Sequence, residues 1–149
     1  MKLDTKYLGE IEVEQSDIIR FPSGIPGFQE ETEFVLLNLP GESSHLFQVL
    51  QSVKSSELAF IVTNPYYFYS DYEFKLDDAI IDQLEIQKEG EVTVFTIVTV
   101  KSPFASSTVN LKAPVIINHN KRLGKQYILN IDKYQTKAPI TVQAAEGDE

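Results

Sequence analysis

Apolar and polar residues alternate with a period of two along most of this chain, which is typical of β-strands with one buried face. In residues 7–14 the apolar side chains Tyr7, Ile11 and Val13 fall on odd positions, and glutamates fall on even positions. The β-branched run at residues 92–100 is the clearest strand pattern. The same pattern predicts strands at residues 17–21, 33–39, 46–51, 58–63, 71–76, 108–111, 114–118 and 126–131.

One segment has helical spacing instead. Ile80, Ile81 and Leu84 recur on one helical face, preceded by the capping residues Asp77 and Asp78 and followed by Gly90. Many short strands, frequent turn signals and one short helix predict a mostly β protein, a compact antiparallel barrel-like fold. We expect a single domain over residues 1–143 and a disordered acidic tail over residues 144–149.

The stretch FPSGIPGF at residues 21–28 is dense in turn residues and permits two interpretations. A phosphate-binding loop would be followed by lysine and a hydroxyl, but here Gln29, Glu30 and Glu31 follow. A rigid structural turn is favoured, because proline fixes φ and glycine supplies turn geometry. Its turn residues are Pro22, Gly24, Pro26 and Gly27, and its apolar residues Phe21, Ile25 and Phe28 are expected to dock on the core.

Composition narrows the class of protein. With 149 residues the chain has the size of one domain, and it contains no cysteine, which excludes disulfides, a zinc–thiolate site and a cysteine nucleophile. The polar N-terminus lacks a secretory signal, and no stretch approaches the roughly 20 apolar residues of a membrane span. We expect a cytoplasmic monomer that does not associate with membranes.

Charge is distributed unevenly. The net charge is −9, with −12 in residues 1–100, +6 in residues 101–140 and −3 in the last nine residues. Such a field repels nucleic acid and attracts basic partners. The two interpretations are an acidic face made for a basic protein and a solvated surface whose sign varies.

The sequence contains few residues that suggest catalysis or metal binding. His45 and His119 are far apart in sequence, and no GxSxG motif is present. We therefore expect no catalytic residues, no metal site and no cofactor. An enzymatic or small-ligand-binding barrel stays as the alternative, and so does a nucleic-acid-binding barrel. A basic strip for the latter would comprise Lys121, Arg122, Lys125, Lys133 and Lys137.

Six of the nine residues from 66 to 74 are aromatic. Aromatic platforms bind single-stranded nucleic acid beside basic groups, but this stretch contains Asp71 and Glu73 and no lysine or arginine. Aromatic residues close to carboxylates suit a protein interface, and the alternative is that half of the rings fill the core. Alternation places Tyr69 on the face of Asp71 and Glu73, and Tyr72 with Phe74 on the other face.

Several strings together resemble the FliW family of flagellar assembly factors over residues 5–135. They are FPSGIPGF with the acidic residues after it, LQS at 50–52, LAFIV at 58–62, NP at 64–65, DYE at 71–73 and NLKAPVIIN at 110–118. The resemblance implies a β-barrel-like fold without enzymatic activity and two partners. These are flagellin and the translational repressor CsrA, which would bind in turn and never together.

An acidic antagonist of an RNA-binding repressor is physically sensible, whether it covers the RNA site or acts from elsewhere. We expect the CsrA contact to be led by acidic groups with an aromatic anchor. The candidate residues are Glu30, Glu31, Glu33, Tyr69, Asp71 and Glu73.

Overall fold

The computed structural model of this chain describes residues 1–39 and 46–140. The strands are β1 (Lys2–Asp4), β2 (Glu10–Glu12), β3 (Ile18–Arg20), β4 (Glu33–Asn38), β5 (Phe47–Ser52), β6 (Ala59–Thr63), β7 (Val92–Thr99), β8 (Thr108–Val109), β9 (Val115–Asn118), β10 (Leu123–Gln126) and β11 (Ala138–Pro139). The α-helix α1 spans Asp78–Gln83, and short 3-10 helices lie at Gln15–Asp17, Pro65–Tyr67, Glu89–Glu91 and Phe104–Ser106.

Seven strands close into a barrel in the order β7-β6-β5-β4-β3-β10-β9, and β9 returns to pair with β7. Every pairing in this ring is antiparallel except that of β3 with β10. This parallel pair is short: Leu123 lies opposite Arg20, whose N–H donates to the Arg122 carbonyl at 2.9 Å. The predicted barrel-like β fold is confirmed, with one parallel pairing that the sequence pattern did not indicate.

The barrel interior is filled by side chains from alternate positions of its strands. The buried members of this cluster are Ile19, Phe21, Ile25, Phe34, Leu50, Val62, Phe95, Val115 and Ile117. A barrel of about eight strands has an interior just wide enough for its side chains to fill. Ligand or partner binding is therefore to be sought on the outside of this barrel.

The turn after β3 fits into this interior through one close contact. Phe21 is fully buried, and a Cβ added at Gly124 of β10 would lie 2.5 Å from the Phe21 Cζ. Only glycine leaves room for the ring at this position. Phe21 thus packs directly against the strand that makes the parallel pairing.

Residues that point out of the barrel form three further clusters, each under a covering element. The β1–β2 hairpin covers β4, α1 covers β9 and β10, and β8 with β11 covers the outer side of β5 and β7. The buried residues of these clusters are Leu3, Val13 and Val35; Ile80, Leu84, Ile116 and Leu123; and Phe47, Tyr72, Val98, Val109, Leu111, Ala138 and Ile140. Because the barrel strands are covered on both faces, successive residues of a strand belong alternately to the interior and to an outer cluster.

Several predicted boundaries are wrong. The strand predicted at 7–14 is reduced to β2, because Tyr7 lies in a bend and is 48% exposed. The strand predicted at 126–131 lies earlier, at β10, and β1 and β11 were not predicted. The helix ends at Gln83 instead of continuing towards Gly90, since Glu85 takes a left-handed conformation with φ 53°.

Residues 71–76, predicted as a strand, have no regular secondary structure. Their alternation is nevertheless real, since Tyr72 is buried while Asp71 and Glu73 are exposed. β6 already has β5 and β7 as neighbours, so no sheet edge there is open for this segment to join. In this segment the alternation of apolar and polar residues indicates which side chains are buried, but it does not indicate that the backbone pairs with another strand.

Candidate functional site

The predicted turn residues are placed in a tight connection between β3 and β4. Gly24 and Gly27 have φ of 67° and 88°, a region that favours glycine. Phe21 and Ile25 are buried, but Phe28, expected to dock on the core, is 43% exposed. Its ring packs edge-on against Phe60, with centroids 5.8 Å apart. Pro22 and Pro26 lie on the surface.

The three glutamates after the turn have different surroundings. The Glu31 carboxylate accepts hydrogen bonds from the hydroxyls of Ser52 and Ser55, the latter at 2.8 Å. These bonds hold the pKa of Glu31 below its usual value. Glu30 and Glu33 are exposed. Glu31 therefore fastens the loop between β5 and β6, and only Glu30 and Glu33 present solvated charges.

The second set of predicted residues follows β6. Tyr69 is half-buried, and its hydroxyl donates to the Pro139 carbonyl. Asp71 and Glu73 are exposed. The Glu73 backbone is held by Tyr134, whose hydroxyl accepts from the Glu73 N–H and donates to the Glu73 carbonyl, both at 2.9 Å. Side-chain charge is thus exposed on a segment whose backbone is fixed.

The structure does not bring the two sets together. β4 and β6 run in the same direction, each antiparallel to β5. Glu33 stands at the start of β4, whereas residues 64–74 follow the end of β6. A five-residue strand spans about 16 Å, so the two sets lie at opposite ends of the barrel.

Glu73 borders a groove of about 760 Å³, which we call the acidic groove because most of it is formed by residues 71–91, a segment with a net charge of −6. The groove runs between residues 64–76, the segment after α1 and the first residues of β7. Its apolar floor is formed by Phe74, Leu76, Ile81, Ile86, Val92 and Val94, all half-buried. Its charged lining residues are Glu73, Lys75, Lys88 and Glu89.

Tyr66 borders the groove beside a cluster of aromatic rings. Its ring is 41% exposed and lies 5.8 Å from that of Tyr72. Burial raises the pKa of both phenols, which stay protonated at neutral pH. The Tyr72 hydroxyl donates to the Leu111 carbonyl at 2.7 Å and is fully used in the core. Tyr66 is the exposed ring of this cluster, and Phe74 of the same cluster lies in the groove floor.

Sequence reasoning missed the groove. Its floor combines residues from an irregular segment, a helix and a strand, whereas periodicity treats each of these segments separately. One signal was available: residues 71–91 contain eight acidic and two basic residues, the most negative window of this length in the chain. The charge totals over longer segments concealed it.

The described residues offer little to hold a metal ion. No group of three or more His, Cys, Asp or Glu side chains in residues 1–39 and 46–140 is arranged to hold a metal ion. His119 is exposed, with its Nδ1 3.3 Å from the Thr93 hydroxyl, and His45 lies outside the described residues. Within the same ranges, no helix is both long and apolar enough to cross a membrane.

A smaller surface cavity of about 330 Å³ lies at the parallel seam of the barrel. Arg20, Lys121, Arg122 and Glu33 line it. The Arg122 guanidinium donates to the carbonyls of Ser16 and Asp17, both at 3.0 Å. These two bonds tie the residues before β3 to the turn before β10, so Arg122 supports the seam.

The fold and the groove define a class of protein: a small closed β-barrel with a packed interior, whose concave surface lies outside the barrel. Comparison with known proteins gives the family. The FliW protein family matches residues 2–140. The flagellar assembly factor FliW of Oceanobacillus iheyensis is 49% identical over 140 residues, 94% of each chain. That of Shouchella clausii is 44% identical over 147 residues, 99% of each chain.

A solved structure agrees with these relatives. The crystal structure of a flagellar assembly factor FliW superposes with a TM-score of 0.89 at 46% identity, over 94% of this chain and 96% of that chain. This chain belongs to the FliW family of flagellar assembly factors. The resemblance drawn from its sequence motifs is confirmed.

Proposed function

We propose that this protein binds flagellin in the cytoplasm and, when free of flagellin, binds the translational repressor CsrA and relieves its repression of flagellin synthesis. Family membership supports a role in flagellar assembly, and the acidic groove supports a basic partner. An RNA-binding repressor carries a basic surface, and opposite potentials favour association and specificity. The observation that carries the proposal is this acidic, partly apolar surface.

Mutual exclusion is the essential element of this function. A ligand shifts an equilibrium only through its different affinity for two states. If flagellin and CsrA exclude one another, accumulating flagellin occupies the protein and leaves CsrA free to repress. Export of flagellin then releases the protein to bind CsrA. Flagellin is also held, as by a chaperone, until export.

We also propose that the protein acts by binding alone, without catalysis, a cofactor or direct contact with nucleic acid. A binding role needs only a surface, and the groove supplies apolar and charged groups. A small-ligand function is the second candidate, because 760 Å³ falls in the range of roughly 300–1,000 Å³ typical of ligand pockets. Small-ligand pockets enclose most of their ligand, whereas exposed residues such as Glu73 and Glu89 border this groove and leave it open to solvent.

A competition titration tests the proposal. Fluorescently labelled CsrA is first saturated with this protein, and unlabelled flagellin is then added. We expect flagellin to displace CsrA fully, and we expect the protein to restore free RNA from a CsrA–RNA complex without shifting RNA by itself. Unchanged CsrA binding at saturating flagellin, or a stable ternary complex, would contradict mutual exclusion.

A further inference from the structure

The segment that forms most of the acidic groove is negatively charged, while the groove lining itself combines two acids, Glu73 and Glu89, with Lys75 and Lys88. Residues 71–91 contain eight acidic and two basic residues, a net charge of −6. Two of the acids serve the fold: Asp77 caps α1 by accepting from the Ile80 N–H at 2.9 Å, and Glu91 is buried. The six others are exposed, namely Asp71, Glu73, Asp78, Asp82, Glu85 and Glu89.

These exposed acids are not neutralised within the protein. Across residues 1–39 and 46–140 the ion pairs are Met1 with Glu12 and Lys112 with Asp132, and neither involves residues 71–91. The net negative charge of the segment that carries most of the apolar floor complements a cationic amphipathic surface. The negative charge is thus available to a partner.

The groove walls are rigid, because buried polar groups fix the segment after α1. The Glu91 carboxylate accepts from the N–H groups of Gln87 and Lys88 at 2.7 and 3.1 Å. The Asn118 side-chain amide donates to the Leu84 carbonyl at 2.8 Å. The hydrogen bonds from the Gln87 N–H, the Asn120 side chain and the Lys88 N–H lower the pKa of Glu91, whose carboxylate stays charged and bonded at neutral pH. A fixed surface loses less conformational entropy when a partner binds.

We propose that the acidic groove binds a cationic amphipathic segment of a partner protein. Apolar side chains of the segment enter the floor between Phe74, Ile86 and Val94, and its lysine or arginine side chains face the exposed acids. Tyr66 lies at the border as the aromatic anchor. This inference rests on the proposed function, in that the partner is a protein, and it locates the contact at the groove instead of at Glu30 and Glu33.

The test uses a labelled 15-residue peptide with leucines at helical spacing and lysines elsewhere, and fluorescence anisotropy at physiological salt. We expect Glu73→Lys with Glu89→Lys to weaken binding about fivefold or more, since exposed charge pairs contribute modestly one by one and charge reversal adds repulsion. Ile86→Ser removes apolar floor and should weaken binding about tenfold, mainly through faster dissociation.

The matched control is Glu30→Lys with Glu33→Lys, which makes the same change of net charge at the other end of the barrel. An equal loss of affinity in this control would overturn the inference, because net charge alone would then explain binding. Equal binding of a peptide with glutamate in place of lysine would do the same.

Chemical-shift mapping on the unsubstituted protein provides a second measurement if Ile86→Ser does not fold. We expect the largest peptide-induced amide shifts at residues 73–76, 86–89 and 92–94, and shifts confined to other surfaces would refute the groove. The proposed function is judged separately. Peptide binding at the groove without competition between flagellin and CsrA would refute that function and leave the inference standing.

Discussion

At the scale of the residue, Gly24 makes the strictest demand on side-chain identity. Its φ is 67°, and a Cβ there would lie 2.5 Å from the Gln29 Cα, a backbone atom that cannot move without the turn. The left-handed conformation alone costs a residue with a Cβ about 1–2 kcal/mol. We expect Gly24→Ala to lower the free energy of unfolding by about 3 kcal/mol or more, since the clash adds to this cost.

Gly9→Ala is the matched control for that substitution, to be compared by urea denaturation. Gly9 has φ 69°, nearly the same as Gly24, but no atom lies within 4 Å of its added Cβ. Gly9→Ala should therefore lower the free energy of unfolding by the conformational cost alone, about 1–2 kcal/mol. Equal losses at the two positions would show that the contact with Gln29 carries no energy.

At the scale of the element, Glu31 joins the approach to β4 with the loop between β5 and β6. The Ser52 and Ser55 hydroxyls donate to its carboxylate and lower its pKa. A lowered folded pKa contributes stability that is complete above the unfolded pKa of about 4.3 and is lost as pH falls through the folded pKa. We expect Glu31→Gln to cost about 1 kcal/mol at pH 7.

The difference in unfolding free energy between this variant and the unsubstituted protein should disappear on acidification below the folded pKa of Glu31. Denaturant titrations at pH 7 and at successively lower pH measure it. Glu30→Gln is the control, because Glu30 is exposed beside Glu31, and it should have little effect at any pH. A Glu31→Gln loss independent of pH would contradict the role of the carboxylate charge.

At the scale of the whole molecule, the barrel strands connect the interior with the outer clusters. β7, for example, contributes Phe95 to the interior and Val98 to the cluster under β8 and β11. Loss of either cluster removes support from the same strands. We therefore expect residues 1–140 to unfold in one cooperative transition, which also tests the prediction of a single domain.

Two optical probes test this cooperativity. The chain has no tryptophan, so near-ultraviolet circular dichroism reports mainly tyrosines, among them the packed rings of Tyr72 and Tyr134. Far-ultraviolet circular dichroism reports the barrel backbone. The two melting curves should coincide. A tyrosine transition well below the backbone transition would mean that the outer cluster around Tyr72 unfolds on its own.

Most of the barrel strands could be predicted from the local sequence pattern. Five strands lie where period two predicts them, namely β4, β5, β6, β7 and β9. Successive side chains of a strand point to opposite faces, so the pattern is visible in the sequence. The pattern failed at residues 71–76, where burial alternates without a strand partner. The capped start of α1 was predictable from Asp77, since capping is a local interaction.

The sequence motifs also determined the family, because they encode local geometry such as the FPSGIPGF turn. The candidate site depends on contacts between distant segments. In the folded chain the Glu31 carboxylate accepts hydrogen bonds from two serines, and Glu30 and Glu33 lie far from Glu73. Phe74, Ile86 and Val92 come together in one groove. These outcomes depend on barrel closure, including the pairing of Arg20 with Leu123 across most of the chain. Contacts between distant segments follow from strand order and register, for which a single sequence carries no local signal.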